Sequence, residues 1–174
     1  MTKNIVLTGL MGSGKTTLGK YLAQNTGMEF VDTDELIVQK AGKPISQIFA
    51  DDGELYFRDL EAKTIEEASH KSGRIISTGG GAVLREENMA NLKKTGIVFY
   101  LEAPAQILYD RVKDDTSRPL LKVDNPLEKL EQLLAQRRSH YETADFKVNT
   151  GGKSLEETSK LVLELYQTRS MHSA

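Results

Sequence analysis

Short apolar runs along the chain alternate with longer segments in which apolar residues return every three or four positions. Five runs are β-branched or aromatic and too short for helices: "NIVLT" (4–8), "EFVD" (29–32), "RIIS" (74–77), "IVFYL" (97–101) and "FKVNT" (146–150). They are expected to be strands. The charged segments between them carry helical spacing. Nearly continuous apolar strands with helical crossovers imply a parallel sheet covered on both faces. Right-handed crossovers make that a three-layer α/β/α sandwich, one domain over residues 1–174.

Two segments break the alternation. Residues 42–61, "GKPISQIFADDGELYFRDLE", exceed a simple crossover and read as two or more short helices. Residues 114–126, "DDTSRPLLKVDNP", are polar, with prolines at 119 and 126, and loops of that length are usually functional. The last helix is expected to open with a capping box, Ser154 and Glu157. It should dock on the sheet through Leu155, Leu161, Val162, Leu165 and Tyr166.

Composition narrows the setting. Hydrophobic residues are 39% and charged residues 28%, and cysteine is absent, which excludes disulfides and thiolate metal sites. No apolar stretch nears the ~20 residues of a membrane span. The first residues run straight into a strand, without the layout of a secretory signal. A net charge of −2 with 6% aromatics gives no general signal for nucleic acid. A cytoplasmic protein without membrane or nucleic-acid partners is expected.

"GLMGSGKT" (9–16) matches G-x-x-x-x-G-K-[ST], with a strand before it and an amphipathic helix after it. Glycines 9, 12 and 14 let backbone N–H groups turn toward an anion, and the helix N-terminus adds partial positive charge. Gly12, Ser13, Gly14, Lys15, Thr16 and Thr17 thus form a candidate nucleotide-phosphate cradle. Lys15 would reach the β- and γ-phosphates and Thr16 would ligate Mg²⁺. A glycine-rich turn with an incidental lysine is the plainer alternative. "TGGKS" (150–154) lacks the motif's first glycine and reads as a turn near the nucleotide base.

"FVDTD" is the best-placed acidic strand end. Asp32 is the candidate for the metal, through a bound water. Asp34 then projects toward whatever accepts the phosphate, unless it caps the helix that follows. "STGGGAV" (77–83) sets three glycines after a buried strand, which lets another molecule approach the backbone closely. That molecule is the acceptor or the γ-phosphate.

Three arginines also stand out. Leu127, Leu130, Leu134, Arg137 and Tyr141 form one helical stripe, so Arg137 sits where an apolar residue is expected. Arg138 points about 100° away. Arg137 either meets a buried anion or snorkels at the helix end. Arg58, with Glu61 at i+3, is either a surface pair or a fork aimed at a carboxylate. Phe49 and Phe57 wall an acceptor pocket or belong to the core. Arg118, before Pro119, fits a lid that closes over the transferring phosphoryl, or is an exposed cation.

Taken together, "GLMGSGKTT", "DTDELI", "ISQIF", "GELYFRDLE", "STGGGAV", "SRPLL" and "RRSHYETAD" resemble the shikimate kinase family, in order over residues 9 to 145. The resemblance implies transfer of the γ-phosphoryl of MgATP to the 3-hydroxyl of shikimate, a step toward aromatic amino acids, by a monomer. It also implies a five-stranded sheet in the order 2-3-1-4-5, an acceptor-binding helical insertion over 33–61 and a lid over 112–126. By the resemblance, Lys15 and Thr16 take the phosphate and magnesium roles, Asp32 lies near the metal, and Asp34 holds the acceptor hydroxyls. Arg58 and Arg137 become the carboxylate clamp, and Gly79, Gly80 and Gly81 the backbone contact to shikimate. Arg118 becomes the lid arginine, and Arg111 an arginine stacked on adenine. Ser139 replaces a proline frequent in the family's arginine motif, which leaves Arg137 and Arg138 to be told apart by the stripe. Other readings are a gluconate or nucleoside monophosphate kinase and a nucleotide-binding switch. The paired arginines with Asp34 favour a hydroxylated acid over both.

Overall fold

The five expected strands form with ends shifted by one residue at most: β1 Asn4–Thr8, β2 Glu29–Asp32, β3 Arg74–Ser77, β4 Gly96–Glu102 and β5 Phe146–Asn149. The computed structural model describes residues 2–115 and 122–171. All strand pairs are parallel, in the order β2-β3-β1-β4-β5. The helices are α1 Lys15–Thr26, α2 Thr33–Ala41, α3 Ile45–Ser69, α4 Glu86–Thr95, α5 Ala105–Val112, α6 Pro126–Tyr141 and α7 Leu155–Met171, with a 3-10 turn at Ala82–Leu84.

Period-two alternation splits the strands between two cores. Ile5, Leu7, Ile97, Phe99 and Val148 face Leu18 and Leu22 of α1 and Val162 of α7. Val6, Val98 and Tyr100 face Ile65 of α3, Leu92 of α4, Leu108 of α5, and Leu130 and Tyr141 of α6. Both faces of the sheet are thereby covered, and the molecule is a three-layer α/β/α sandwich. Because every strand runs the same way, Thr8, Asp32 and Ser77 all end at one edge, where doubly wound sheets bind ligands.

The segment beyond β2 holds α2 and the first half of α3, packed on a small core of Ile37, Ile48 and Phe57. Helix α3 kinks at Gly53 (φ 84°, ψ 170°), a backbone region essentially reserved for glycine, then continues to Ser69 against the sheet. The capping box of α7 forms in both directions, with Glu157 N–H donating to Ser154 Oγ and Ser154 N–H to Glu157. One docking expectation fails. Leu155 is 37% exposed, because the first turn of α7 stands at the rim of a cleft rather than over the sheet. On α6, Leu130, Arg137 and Tyr141 of the expected stripe are buried and Leu134 packs partly buried on the core, joined by Leu133.

Candidate active site

At the carboxyl edge lies a cleft of about 1160 Å³. Its lining runs from Lys15, Thr16 and Thr17 through Asp32 and Asp34 to Arg58, Gly79–Gly81 and Arg137, and on the other side to Arg111 and Thr150.

The first wall is the loop between β1 and α1, which turns at Gly9, Gly12 and Gly14, all at positive φ. Helix α1 opens on Gly14 with no side-chain cap and no acidic residue in its first turn. The N–H groups of its first turn have no side-chain cap, which suits phosphate. Lys15 Nζ donates to the carbonyls of Gly9 (2.7 Å) and Leu10 (3.1 Å) and to Ser13 Oγ (3.3 Å). Ser13 is buried within this loop, and Thr17 is exposed along the cleft.

Asp32 has two tasks, one for each oxygen. Its Oδ1 accepts from the N–H groups of Asp34 (2.9 Å) and Glu35 (3.3 Å), so Asp32, not Asp34, caps α2. Its Oδ2 accepts from Thr16 Oγ1 at 3.0 Å, which joins the acidic strand end to the phosphate loop. Asp34 is thereby freed from capping. Its Oδ1 is buried and accepts no hydrogen bond from any described residue. Burial, with Asp32 and Glu61 nearby, pushes its pKa from 3.8 up to about 6, against the opposing pull of Lys15 and Arg58.

The loop "GGG" shows why three glycines are needed in a row. A methyl group on Gly79 would meet Asp34 Oδ1 at 2.7 Å, one on Gly80 would touch Arg137 Nη1 at 3.5 Å, and one on Gly81 would meet both terminal nitrogens of Arg58 at 2.5 Å. Each glycine is crossed by a different charged side chain, and these come from α2, α6 and α3. Arg58 donates from Nη1 to Glu61 at 2.7 Å and lies over the Phe57 ring, 5.1 Å from its centroid. Phe57 is buried and Phe49 is 37% exposed on the cleft, their ring centroids 4.6 Å apart. Phe49 is thus a wall of the cavity and Phe57 both wall and core.

Arg137 is 8% exposed and makes no ion pair with any described residue. The side chain of Arg138 is 71% exposed and lies 4.0 Å from Glu142. The one-position offset along α6 therefore aims only Arg137 into the cleft. On the far side Arg111 donates from Nη1 to the Gly12 carbonyl (3.0 Å) and from Nη2 to the Thr150 carbonyl (3.0 Å), tying the phosphate loop to "TGGKS". Arg118 lies outside the described residues.

The family model for shikimate kinase matches residues 11–167. A shikimate kinase from Thermodesulfovibrio yellowstonii is 46% identical over 168 residues, 97% of each chain. The chain belongs to the shikimate kinase family. The solved shikimate kinase from Acinetobacter baumannii, in complex with shikimate, superposes with a TM-score of 0.92 at 38% identity, over 97% of this chain and 95% of that one. A gluconokinase from Sinorhizobium meliloti, at 19% identity and a TM-score of 0.60, shares the fold alone.

Of two further side chains at the site in this shikimate kinase family member, the sequence reading left one open between alternatives and missed the other. Glu61 stood either in a surface pair with Arg58 or as the group that orients its guanidinium toward a carboxylate. It is 1% exposed and anchors that guanidinium from below, with its own pKa raised by burial and held back by Arg58, Arg137 and Arg85. Tyr141 had counted only as a member of the α6 stripe. Its hydroxyl donates to the Gly80 carbonyl at 2.6 Å. Glu61 was signalled by its i+3 spacing, whereas nothing near Tyr141 in sequence pointed to a glycine loop in a different layer.

Proposed function

We propose that this chain transfers the γ-phosphoryl group of ATP to the 3-hydroxyl of shikimate, giving shikimate 3-phosphate and ADP. The observation that carries the proposal is the convergence of Arg58, Arg137 and Asp34 on three consecutive glycines beside the phosphate loop. Two guanidiniums facing a cavity suit a carboxylate, and an unpartnered carboxylate oxygen between them and Lys15 suits a hydroxyl. An acid that also bears hydroxyls satisfies both.

Arg58 and Arg137 hold the acceptor's carboxylate, and the backbone of Gly79–Gly81 supports its ring. Asp34 in its ionised form accepts a hydrogen bond from the reacting hydroxyl and orients a lone pair toward phosphorus. As the new O–P bond forms and the bond to ADP breaks, the hydroxyl proton passes to Asp34, whose pKa of about 6 lies close to working pH. Phosphoryl transfer asks the protein mainly for position and charge neutralisation. Gly12–Thr17, Lys15 among them, cradle the phosphates, Arg111 with "TGGKS" holds the base, and Arg118 would offset charge on the transferring group.

Thr16 and Asp32 supply two hard oxygen donors 3.0 Å apart at the cradle. Among the described residues no group of three or more His, Cys, Asp or Glu could form a dedicated metal cage. That set fits Mg²⁺, which keeps most of its own water, with Thr16 as ligand and Asp32 reaching it through water. Held by Thr16 and Asp32, such an ion would supply positive charge against the phosphates.

The test is ADP release from MgATP against shikimate, gluconate and nucleoside monophosphates. Turnover is expected with shikimate and only at background with the others. ADP formed at one rate in every well would overturn the assignment.

A further inference from the structure

Arg137 and Gly80 arrive in the site from different layers, one on α6 and the other after β3, yet one side chain is tied to both, by a hydrogen bond to Gly80 and by its place one turn along α6 from Arg137. The Tyr141 hydroxyl donates to the Gly80 carbonyl at 2.6 Å. The Arg137 guanidinium, one helical turn earlier on the same face of α6, lies over the same loop, with Nη1 3.5 Å from where a Cβ on Gly80 would stand, and its charge opposes the burial that raises the hydroxyl's pKa. A phenol oxygen has one proton to give and lone pairs to receive, so donating to Gly80 leaves its lone pairs available to the neighbouring cation. The ring beneath is fully buried and stacks on Tyr100 of β4 with centroids 4.8 Å apart and planes 7° apart. Tyr100 in turn pairs in register with Thr8, the last residue of β1 before the phosphate loop. The hydroxyl's place is thus set by the rigid middle of the sheet.

The consequence for the loop is geometric. A trans peptide is planar, so its C=O and the next residue's N–H point opposite ways. With the Gly80 carbonyl turned onto Tyr141 in the core, the Gly81 N–H turns away from it, toward the cleft that residues 79–81 line. We infer that Tyr141 is the positioning residue of the acceptor site: its hydroxyl sets the direction of the Gly81 N–H and the Arg137 guanidinium together. The loop contact and half of the carboxylate clamp then share one frame. This inference rests on the acceptor reading above.

Tyr141→Phe keeps the ring and its stack and removes only the hydroxyl. The expected result is a rise of about 5- to 20-fold in the KM for shikimate, the scale of one lost buried hydrogen bond, with the KM for ATP unchanged within about two-fold. Tyr100→Phe, which also keeps the stack, is the control and should leave both constants in place. A second readout needs no acceptor. In the ligand-free protein, amide hydrogen exchange of residues 79–82 should quicken in Tyr141→Phe while the strands stay protected. An unchanged shikimate KM, an equal rise in both KM values, or faster exchange throughout the sheet would each overturn the inference. If the unaltered protein fails to phosphorylate shikimate, the functional reading falls, and the exchange experiment still decides whether Tyr141 orients the loop.

Discussion

Asp34 holds an ionisable group where ionisation is costly, and the sign of that cost can be measured. Its pKa is raised to about 6 from 3.8, so between those values the folded chain binds a proton that the unfolded chain has lost. Stability from this group is full below 3.8 and is lost as the pH rises through 6. Asp34→Asn should therefore be more stable than the unaltered protein at pH 7.5, by on the order of 1–3 kcal/mol, while losing acceptor turnover. The gain should shrink as the pH falls toward 4, read from urea denaturation at each pH. Activity has the opposite sign, because the ionised carboxylate is the working form. Turnover with shikimate should fall as the pH drops through about 6. A variant no more stable than its parent at pH 7.5 would mean that the carboxylate is better solvated than its buried Oδ1 implies.

Among the elements, α3 shows where local pattern and structure part. Residues 42–61 were read as two or more short helices, and the kink at Gly53 does divide the segment; what the pattern did not show is that the second piece follows without a loop and runs on to Ser69. The kink sets how the second half of α3 presents Phe57, Arg58 and Glu61. No heavy atom lies within 4 Å of the Cβ that alanine would add there, so Gly53→Ala meets no clash, only an unfavourable backbone. It should cost about 1–3 kcal/mol in urea denaturation and raise the KM for shikimate more than that for ATP. Helix α6 was read more fully. The stripe put Arg137 inside, since a 3.6-residue period leaves adjacent arginines on different faces. At Leu134 the stripe holds as well, although Leu133 beside it is the more deeply buried, a difference set by the packing against the sheet.

For the whole molecule, the nucleotide and acceptor sides are built from different parts of the chain and joined at few points, chiefly Asp32–Thr16 and the neighbourhood of Gly80 and Gly9. Their ligands should therefore stabilise the fold separately. Arg137→Ala should abolish the rise in melting temperature that shikimate produces and keep the rise that ADP produces, because ligand that binds only the folded state shifts the midpoint by its own affinity. Equal loss of both shifts would place Arg137 in the nucleotide half.

By itself the sequence determined the strands, the crossover helices, the phosphate loop and the charged residues that could serve an acceptor, because each rests on short-range periodicity or on a motif within a few consecutive positions. It could not decide between a surface pair and a clamp for Arg58, between cap and acceptor for Asp34, or whether Tyr141 touched anything polar. Those outcomes depend on residues brought within 3–4 Å from α2, α3, α6 and the loop after β3, elements far apart in the chain. Only the tertiary structure decides them, since burial and hydrogen-bond partners are properties of the packed layers and not of any one segment.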